Sequence, residues 1–205
     1  MKKNLKEILG KQILFFDGGT GTVLQEWGLK PGEFSENWNL SHPEKIQQLH
    51  YEYYKAGANI IKTNTFGALS IKFPLNLEKI ITSAIQNANN ARNQIQKENQ
   101  TSDKNEYFIA YDISSTGKLL KPLGDLDFED AVNIFKKSFN IALKQKIDCI
   151  LIETMNDGYE TKAAVLAAKE SLQENKIDLP IFVTNVYDSD ARLLSGATPE
   201  SMVAM

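Results

Sequence analysis

Cysteine is nearly absent from this sequence, since Cys149 is the single cysteine among 205 residues. One thiol excludes an internal disulfide framework, and we expect Cys149 to be a small buried apolar residue. Long apolar runs are also lacking, because no segment reaches the roughly 18 apolar residues that a membrane-spanning helix needs. The N-terminus has no signal-peptide core. These absences predict a soluble cytoplasmic protein that does not bind membranes.

An excess of positive charge is lacking too. The chain has 23 Lys and Arg against 26 Asp and Glu, which gives a net charge of -3. Because phosphate backbones are bound by clustered Lys and Arg, this balance argues against nucleic acid as a partner. Histidine is scarce, and neither His42 nor His50 has metal-ligand spacing to another His or Cys. We therefore expect no metal role for either histidine.

What the sequence does contain is an alternation of short apolar runs and helical patterns. The runs are typical of strands covered on both faces, and they span residues 13–16, 59–65, 107–113, 149–154 and 181–186. Apolar residues at helical spacing lie between and after them, at 43–56, 77–96, 127–144, 159–173 and 198–205. The polar segment 100–105 is predicted to be a loop.

This alternation predicts an α/β fold with a parallel sheet and right-handed crossovers. Two architectures remain open at this point. A doubly wound sheet can be complete with five strands, whereas a closed barrel of eight β/α units typically needs about 250 residues. We assign residues 1–205 to one domain. In both architectures the site lies at the carboxyl ends of the strands.

Each predicted strand ends in a residue that can bind or ionise. These strand ends are Asp17-Gly18-Gly19, Thr63-Asn64-Thr65, Asp112, Glu153-Thr154 and Asn185. A single such residue could cap the following helix, but a ring of groups around one pocket explains all of them together.

The glycine-rich motif Asp17-Gly18-Gly19-Thr20-Gly21 indicates which ligand to expect. It is not Gly-x-Gly-x-x-Gly, and no Gly-Lys-Ser/Thr follows, so a phosphate loop is disfavoured. Gly18 and Gly19 leave backbone N–H groups free to hold a carboxylate, while Asp17 can pair with an ammonium. The motif therefore favours an α-amino acid, which carries both charges.

Several segments also match a known family. The most specific are Phe-Asp-Gly-Gly-Thr-Gly-Thr at 16–22 and Gly-Ala-Asn-Ile-Ile-Lys-Thr-Asn-Thr-Phe at 57–66. Shorter matches are Ile-Glu-Thr at 152–154, Lys-Ala-Ala at 162–164, Leu-Pro-Ile at 179–181 and Leu-Ser-Gly at 194–196. On these segments the chain resembles the homocysteine S-methyltransferase family, most closely the amino-terminal, homocysteine-binding module of cobalamin-dependent methionine synthases.

The resemblance implies a TIM barrel that transfers a methyl group to the thiol of homocysteine to give methionine. It implies that three cysteine thiolates hold a zinc ion, which lowers the pKa of that thiol. It places the amino-acid clamp on Asp17, Gly18 and Gly19, and the partner of the amino group on Glu153. The residues that line the site would be Thr63, Asn64 and Thr65.

The sequence departs from the family in one large respect. The zinc cysteines of the family come from its sixth and eighth strands, so we expect these ligands beyond Met205. Cys149 begins the fourth predicted strand, away from the pocket, and no complete catalytic set is expected in this chain. About five of the eight barrel strands are present. We therefore expect zinc only in the complete domain, and self-association or pairing with the remaining strands.

Two functional hypotheses follow from the resemblance. In the first, the chain is the homocysteine-binding part of a zinc methyltransferase. In the alternative, it is a non-catalytic half-barrel that binds a partner or has no function. The implied methyl donor is methylcobalamin charged from methyltetrahydrofolate through separate cobalamin and folate domains. The family often has Gly-Pro where this chain has Ser114-Ser115, on the donor side of the pocket, which leaves the donor open.

Overall fold

Four parallel strands form a sheet in the order β1-β2-β3-β4. They are β1 (Ile60–Lys62), β2 (Phe108–Ile113), β3 (Cys149–Met155) and β4 (Ile181–Asn185). The computed structural model describes residues 4–99 and 106–205, so the loop predicted at 100–105 lies outside the described residues. Because all neighbouring strands pair in parallel and helices connect them, the predicted α/β fold is confirmed.

The helices of the described residues follow one another in chain order. They are α1 (Leu5–Ile8), α2 (Thr20–Glu26), a 3-10 turn (Ser35–Asn37), α3 (Trp38–Ser41), α4 (Pro43–Lys55), α5 (Leu77–Glu98), α6 (Phe128–Ala142), α7 (Gly158–Asn175) and α8 (Pro199–Ala204). The five helices predicted from apolar spacing are α4 to α8, with bounds at most two residues from those expected. The short helices before α4 were not predicted, because they are too short to show a helical period.

The first predicted strand differs from expectation. Residues 13–16 form one parallel bridge, between Phe16 and Ile60, and the Phe15 carbonyl accepts from the backbone N–H groups of Asn59 and Ile60. Ile13 is 80% exposed and Phe15 is 63% exposed, so the prediction of a buried strand here was wrong. This segment pairs with β1 on one side only. The expected five strands are therefore four strands and one bridged segment.

The two faces of the sheet have separate apolar cores. Outward-facing residues such as Ile61, Ile109 and Ile152 pack under α4 to α7. Inward-facing residues such as Ile60, Phe108 and Leu151 pack with Leu5 and Ile8 of α1. Since side chains alternate between faces along a strand, burial on both faces explains why these runs are continuously apolar.

The sheet is strongly curled. The rings of Phe16 and Phe182 meet edge to face with their centroids 5.7 Å apart, although their segments lie at opposite ends of the strand order. A curled parallel sheet with helices on its outer face is the wall of a β/α barrel. The carboxyl ends of the strands consequently converge at one rim.

A third apolar cluster fixes the start of α2 at this rim. Leu24 of α2 is fully buried against Trp38 of α3 and against Ile46 and Leu49 of α4. This packing holds a helix that contains Gly21 and would be unstable alone. Within residues 4–99 and 106–205, no helix is long and apolar enough to cross a membrane.

Candidate functional site

A cavity of about 320 Å³ opens at the carboxyl ends of β1, β2 and β3. Its charged lining consists of three acidic side chains, Glu36, Asp112 and Glu153, and one basic side chain, Lys62. The remaining lining residues are Gly19, Thr20, Gly21, Ser35, Thr63, Asn64 and Phe66. The cavity therefore lies where the sequence predicted the site, and it is predominantly acidic.

Lys62, the last residue of β1, lies at the centre of the charged groups. Its Nζ donates to Glu153 Oε1 at 2.9 Å and lies 3.9 Å from Asp17 Oδ1. Burial lowers the pKa of Lys62, but the hydrogen bond to Glu153 and the charges of the nearby carboxylates outweigh burial and raise it above the ordinary value. Lys62 therefore stays protonated at neutral pH.

Asp17 lies behind Lys62, outside the lining of this cavity. Its side chain is fully buried, and Oδ2 accepts from the Lys62 backbone N–H at 3.0 Å, whereas Oδ1 has no hydrogen-bond partner among the described residues. Burial raises the pKa of Asp17 to about 7, although the Lys62 N–H and ammonium act in the opposite direction. At neutral pH this carboxyl is close to half protonated.

A β-bulge directs Glu153 into the cavity. The pairing of β3 with β4 shifts register between Ile152 and Met155, and Thr154 has a φ of 60°. That left-handed conformation costs roughly 1–2 kcal/mol for a residue with a Cβ. Bulges turn side chains out of the regular alternation, and they are frequent next to active sites. Glu153 keeps 22% of its side chain exposed there.

Asp112, near the end of β2, is a second buried acid in this site. It is 4% exposed, and its Oδ1 has no hydrogen-bond partner within residues 4–99 and 106–205. Burial raises the pKa of Asp112 well above its ordinary value, and the negative charge of Glu153 raises it further. Burial thus favours the protonated form of Asp112, and Glu153, which accepts from Lys62 Nζ at 2.9 Å, is the acid nearest to Lys62.

The side chains of Thr63 and Thr65 are engaged within the protein. The Thr65 hydroxyl donates to the Asp112 carbonyl at 2.7 Å, so the 2.6 Å contact between the two hydroxyls has Thr63 as its donor. Thr63 Oγ1 also accepts from the Asp112 backbone N–H at 3.1 Å. These bonds join the ends of β1 and β2. Thr63 lines the cavity, whereas Thr65 is fully buried behind it.

Asn64 is also fully bonded. Its Oδ1 accepts from Ser35 Oγ at 3.0 Å, and its Nδ2 donates to the Ser35 carbonyl at 2.8 Å and to Asn39 Oδ1 at 3.2 Å. Asn64 thereby holds the 3-10 turn against the rim. The side chains of Thr63, Asn64 and Thr65 therefore all make hydrogen bonds within the protein. Their predicted roles in binding substrate stay predictions.

The two glycines of the motif have different neighbours. A Cβ on Gly18 would lie 3.0 Å from Tyr53 Oη, so a side chain there would displace that ring. The Gly19 carbonyl accepts from the Tyr53 hydroxyl at 2.9 Å. Gly19 is the N-cap of α2, and among the described residues no side chain caps this helix start; Gly19, Thr20 and Gly21 line the cavity.

The structure brings Gly19, Thr63, Asn64 and Glu153 to one cavity, and Asp17, Gly18 and Thr65 are outside its lining. Asp17 and Gly18 line a separate cavity beside Tyr53. Sequence reasoning missed Lys62 and Glu36. Lys62 had a signal, since it is a lysine at the end of a buried apolar run. Glu36 had none. Its Oε1 accepts from the Gly67 backbone N–H at 2.6 Å, a contact between residues outside any regular strand.

The described residues do not fit the zinc site that the resemblance implies. They contain no group of three or more His, Cys, Asp or Glu side chains that could hold a metal ion. Cys149 is fully buried at the start of β3, and burial raises the pKa of its thiol well above the ordinary value. His50 is likewise fully buried, with neither ring nitrogen hydrogen-bonded.

Comparison with known proteins relates this architecture to one family. The model of the homocysteine S-methyltransferase family matches residues 14–205. Among solved structures, the chain is similar to the homocysteine methyltransferase MmuM from Escherichia coli. The oxidized form shares 20% identity at a TM-score of 0.82, covering 99% of this chain and 72% of that one. The metallated form shares 22% identity at a TM-score of 0.78, covering 98% and 72%. At such identities the likeness shows the fold.

Proposed function

The chain belongs to the homocysteine S-methyltransferase family, and we propose that it is the homocysteine-binding part of a zinc-dependent methyltransferase. The reaction transfers a methyl group to the homocysteine thiol and gives methionine. The match of the family model over residues 14–205 supports homocysteine as the substrate. Residues 1–205 would form part of a single β/α barrel domain.

The observation that carries this proposal is the acid Glu153, which lies across one cavity from the glycine-rich segment 19–21. Glu153 extends into the cavity from β3, and the first turn of α2 borders it at Gly19 and Thr20. A carboxylate binds the ammonium of an amino acid, and the backbone N–H groups of a glycine-rich segment can bind its carboxylate. The cavity volume of about 320 Å³ is at the small end of ligand sites, which suits an amino acid.

The described residues would bind and orient the amino-acid part of homocysteine. They do not supply the ligands of the metal. We propose that the zinc ligands are the cysteines expected beyond Met205. Zinc analysis of the purified chain by atomic absorption tests this placement, and stoichiometric zinc on these residues would contradict it. Methylcobalamin charged from methyltetrahydrofolate, through separate domains, stays a prediction for the donor. A cytoplasmic location also stays a prediction.

Calorimetric titration of the full chain with L-homocysteine under reducing conditions tests the proposed function. We expect saturable binding, a preference for L- over D-homocysteine, and weaker binding by Glu153→Gln. The matched control is Glu52→Gln, because Glu52 is an exposed acid on α4. Absence of binding at millimolar ligand, or equal effects of the two variants, would refute the assignment.

A second candidate function has an observation of its own. Exposed apolar side chains lie on the segment that pairs with β1 and at the β4 end of the sheet, where Ile13 is 80%, Phe15 63% and Val186 49% exposed. Exposed sheet edges favour pairing with another chain. We therefore propose that these exposed edges of the sheet associate with a second copy of the chain or with further strands. Light scattering should show a mass that rises with concentration, and a monomer at all concentrations would contradict association.

A further inference from the structure

Lys62 is the single basic side chain among the described residues that line the cavity. The other ionisable groups of the lining are acids, so a cation offsets the repulsion that an entering carboxylate meets. Lys62 reaches the cavity, because it is one of the lining residues and 13% of its side chain is exposed beside a Glu153 side chain that is 22% exposed.

We propose that Lys62 binds the α-carboxylate of the amino acid and exchanges its bond to Glu153 for that contact when the ligand's ammonium reaches Glu153. The proposal rests on the proposed function, since it concerns the ligand of the same cavity. It adds a residue that the glycine motif and the strand-end pattern did not indicate.

The exchange conserves charge pairing at the site. In the free protein Lys62 and Glu153 form one ion pair at 2.9 Å. With an amino acid bound, Lys62 would pair with the carboxylate and Glu153 with the ammonium, so one ion pair becomes two. A ligand with only one of these charges breaks the Lys62–Glu153 ion pair, forms one new ion pair, and leaves either Lys62 or Glu153 without a partner from the ligand. The pair therefore selects for zwitterionic ligands.

Asp17 provides Lys62 with a second acidic neighbour during this exchange. Its Oδ1 is buried, has no hydrogen-bond partner and lies 3.9 Å from Lys62 Nζ. Because the Asp17 side chain is fully buried, it can contact Lys62 but not a ligand in the cavity. Asp17 is then a positioning residue. It keeps the Lys62 ammonium near the rim when Glu153 pairs with the ligand instead of with Lys62.

The experiment compares two ligands on the full chain by calorimetry. L-Homocysteine carries both charges, and 3-aminopropanethiol lacks the carboxylate. Lys62→Met should weaken L-homocysteine binding by about ten- to a hundredfold, the range for a lost charged hydrogen bond. The same variant should bind 3-aminopropanethiol at least as well as the wild type, because Glu153 is no longer engaged by Lys62. Lys62→Arg should still bind L-homocysteine more tightly than 3-aminopropanethiol.

The matched control is Lys137→Met, which removes an exposed lysine on α6. Equal weakening of both ligands by Lys62→Met, or no weakening of either, would overturn the role of Lys62 and leave the proposed function standing. A wild type that binds no L-homocysteine would overturn the proposed function itself.

A second measurement needs no variant. The side-chain 15N–1H resonance of Lys62 in the wild type, observed by NMR, should shift with L-homocysteine and follow the binding curve. 3-Aminopropanethiol should produce a different shift, because it releases Lys62 from Glu153 without offering a carboxylate. Identical shifts with both ligands would overturn the proposal even if Lys62→Met fails to fold.

Discussion

The Thr65 hydroxyl donates to the Asp112 carbonyl at 2.7 Å, and this bond fixes the distance between the ends of β1 and β2. Both groups are buried, so neither can bond to water in place of the other. The geometry of the rim thus depends on a hydroxyl that does not itself face the cavity. This relationship leads to the first prediction.

Thr65→Val should destabilise the protein by about 1–3 kcal/mol. Valine fills the same volume but leaves the Asp112 carbonyl and the Thr63 hydroxyl without their partner. Urea unfolding measures the change in free energy of unfolding. Thr82→Val, on the half-buried side of α5, is the control and should change stability much less. Equal effects of the two variants would contradict this account of the rim.

Glu153→Gln and Asp17→Asn should both weaken L-homocysteine binding. Loss of the Glu153 charge removes the partner of the ligand's ammonium, at a cost of roughly 1.5–3 kcal/mol. Asp17→Asn should have a smaller effect, because the buried Asp17 acts through Lys62. Calorimetric dissociation constants give both values. Unchanged affinity for L-homocysteine in both variants would refute the assignment of this cavity as the homocysteine site.

Asp17 should make the protein less stable as pH rises from about 4 to 7. Its pKa is about 7 in the folded protein against 3.8 ordinarily, so the folded state binds more protons in this window. Stability from this group is complete below pH 3.8 and is lost as pH passes 7, by up to about 4 kcal/mol. Relative to the wild type, Asp17→Asn should gain stability as pH rises. If the free energy of unfolding depends on pH in the same way in the wild type and in Asp17→Asn, the raised pKa of Asp17 is contradicted.

His50 should act in the opposite direction over nearly the same pH range. Burial lowers its pKa to about 4 from 6.5, so the unfolded state binds more protons between these values. Its contribution is present above pH 6.5 and is lost as pH falls toward 4, by about 3 kcal/mol. His50→Leu should remove this acid sensitivity, as measured by thermal unfolding at several pH values. His42→Gln is the control, since His42 is the other histidine of the chain.

Cys149 should be unreactive in the folded protein. Its thiol is fully buried and its pKa is raised by burial, so little thiolate is present or accessible. Ellman's reagent should label it only at the rate of unfolding, and labelling should become rapid in urea. Fast labelling under native conditions would show that the inner face of the sheet opens locally.

The strands and long helices could be predicted because their signals are local. Apolar spacing in α5 and α6, and the continuous apolar runs of β2 and β3, depend on near neighbours in the chain. Helix α2 could not be predicted, because its glycines disfavour a helix and the burial of Leu24 in a distant cluster stabilises it. The exposure of Ile13 and Phe15 was also beyond local sequence, since it depends on what covers the segment.

The sequence by itself determined the parallel α/β order, the acidic strand ends and the match to the homocysteine S-methyltransferase family. Only the tertiary structure decided which of those groups meet. Lys62 and Glu153 are 91 residues apart in the chain, yet their charged atoms are 2.9 Å apart. The curl of the sheet creates that contact and places Asp17 behind Lys62 instead of in the cavity. Charge pairing acts through space, so a pattern along the chain shows which residues carry charge but not which ones pair.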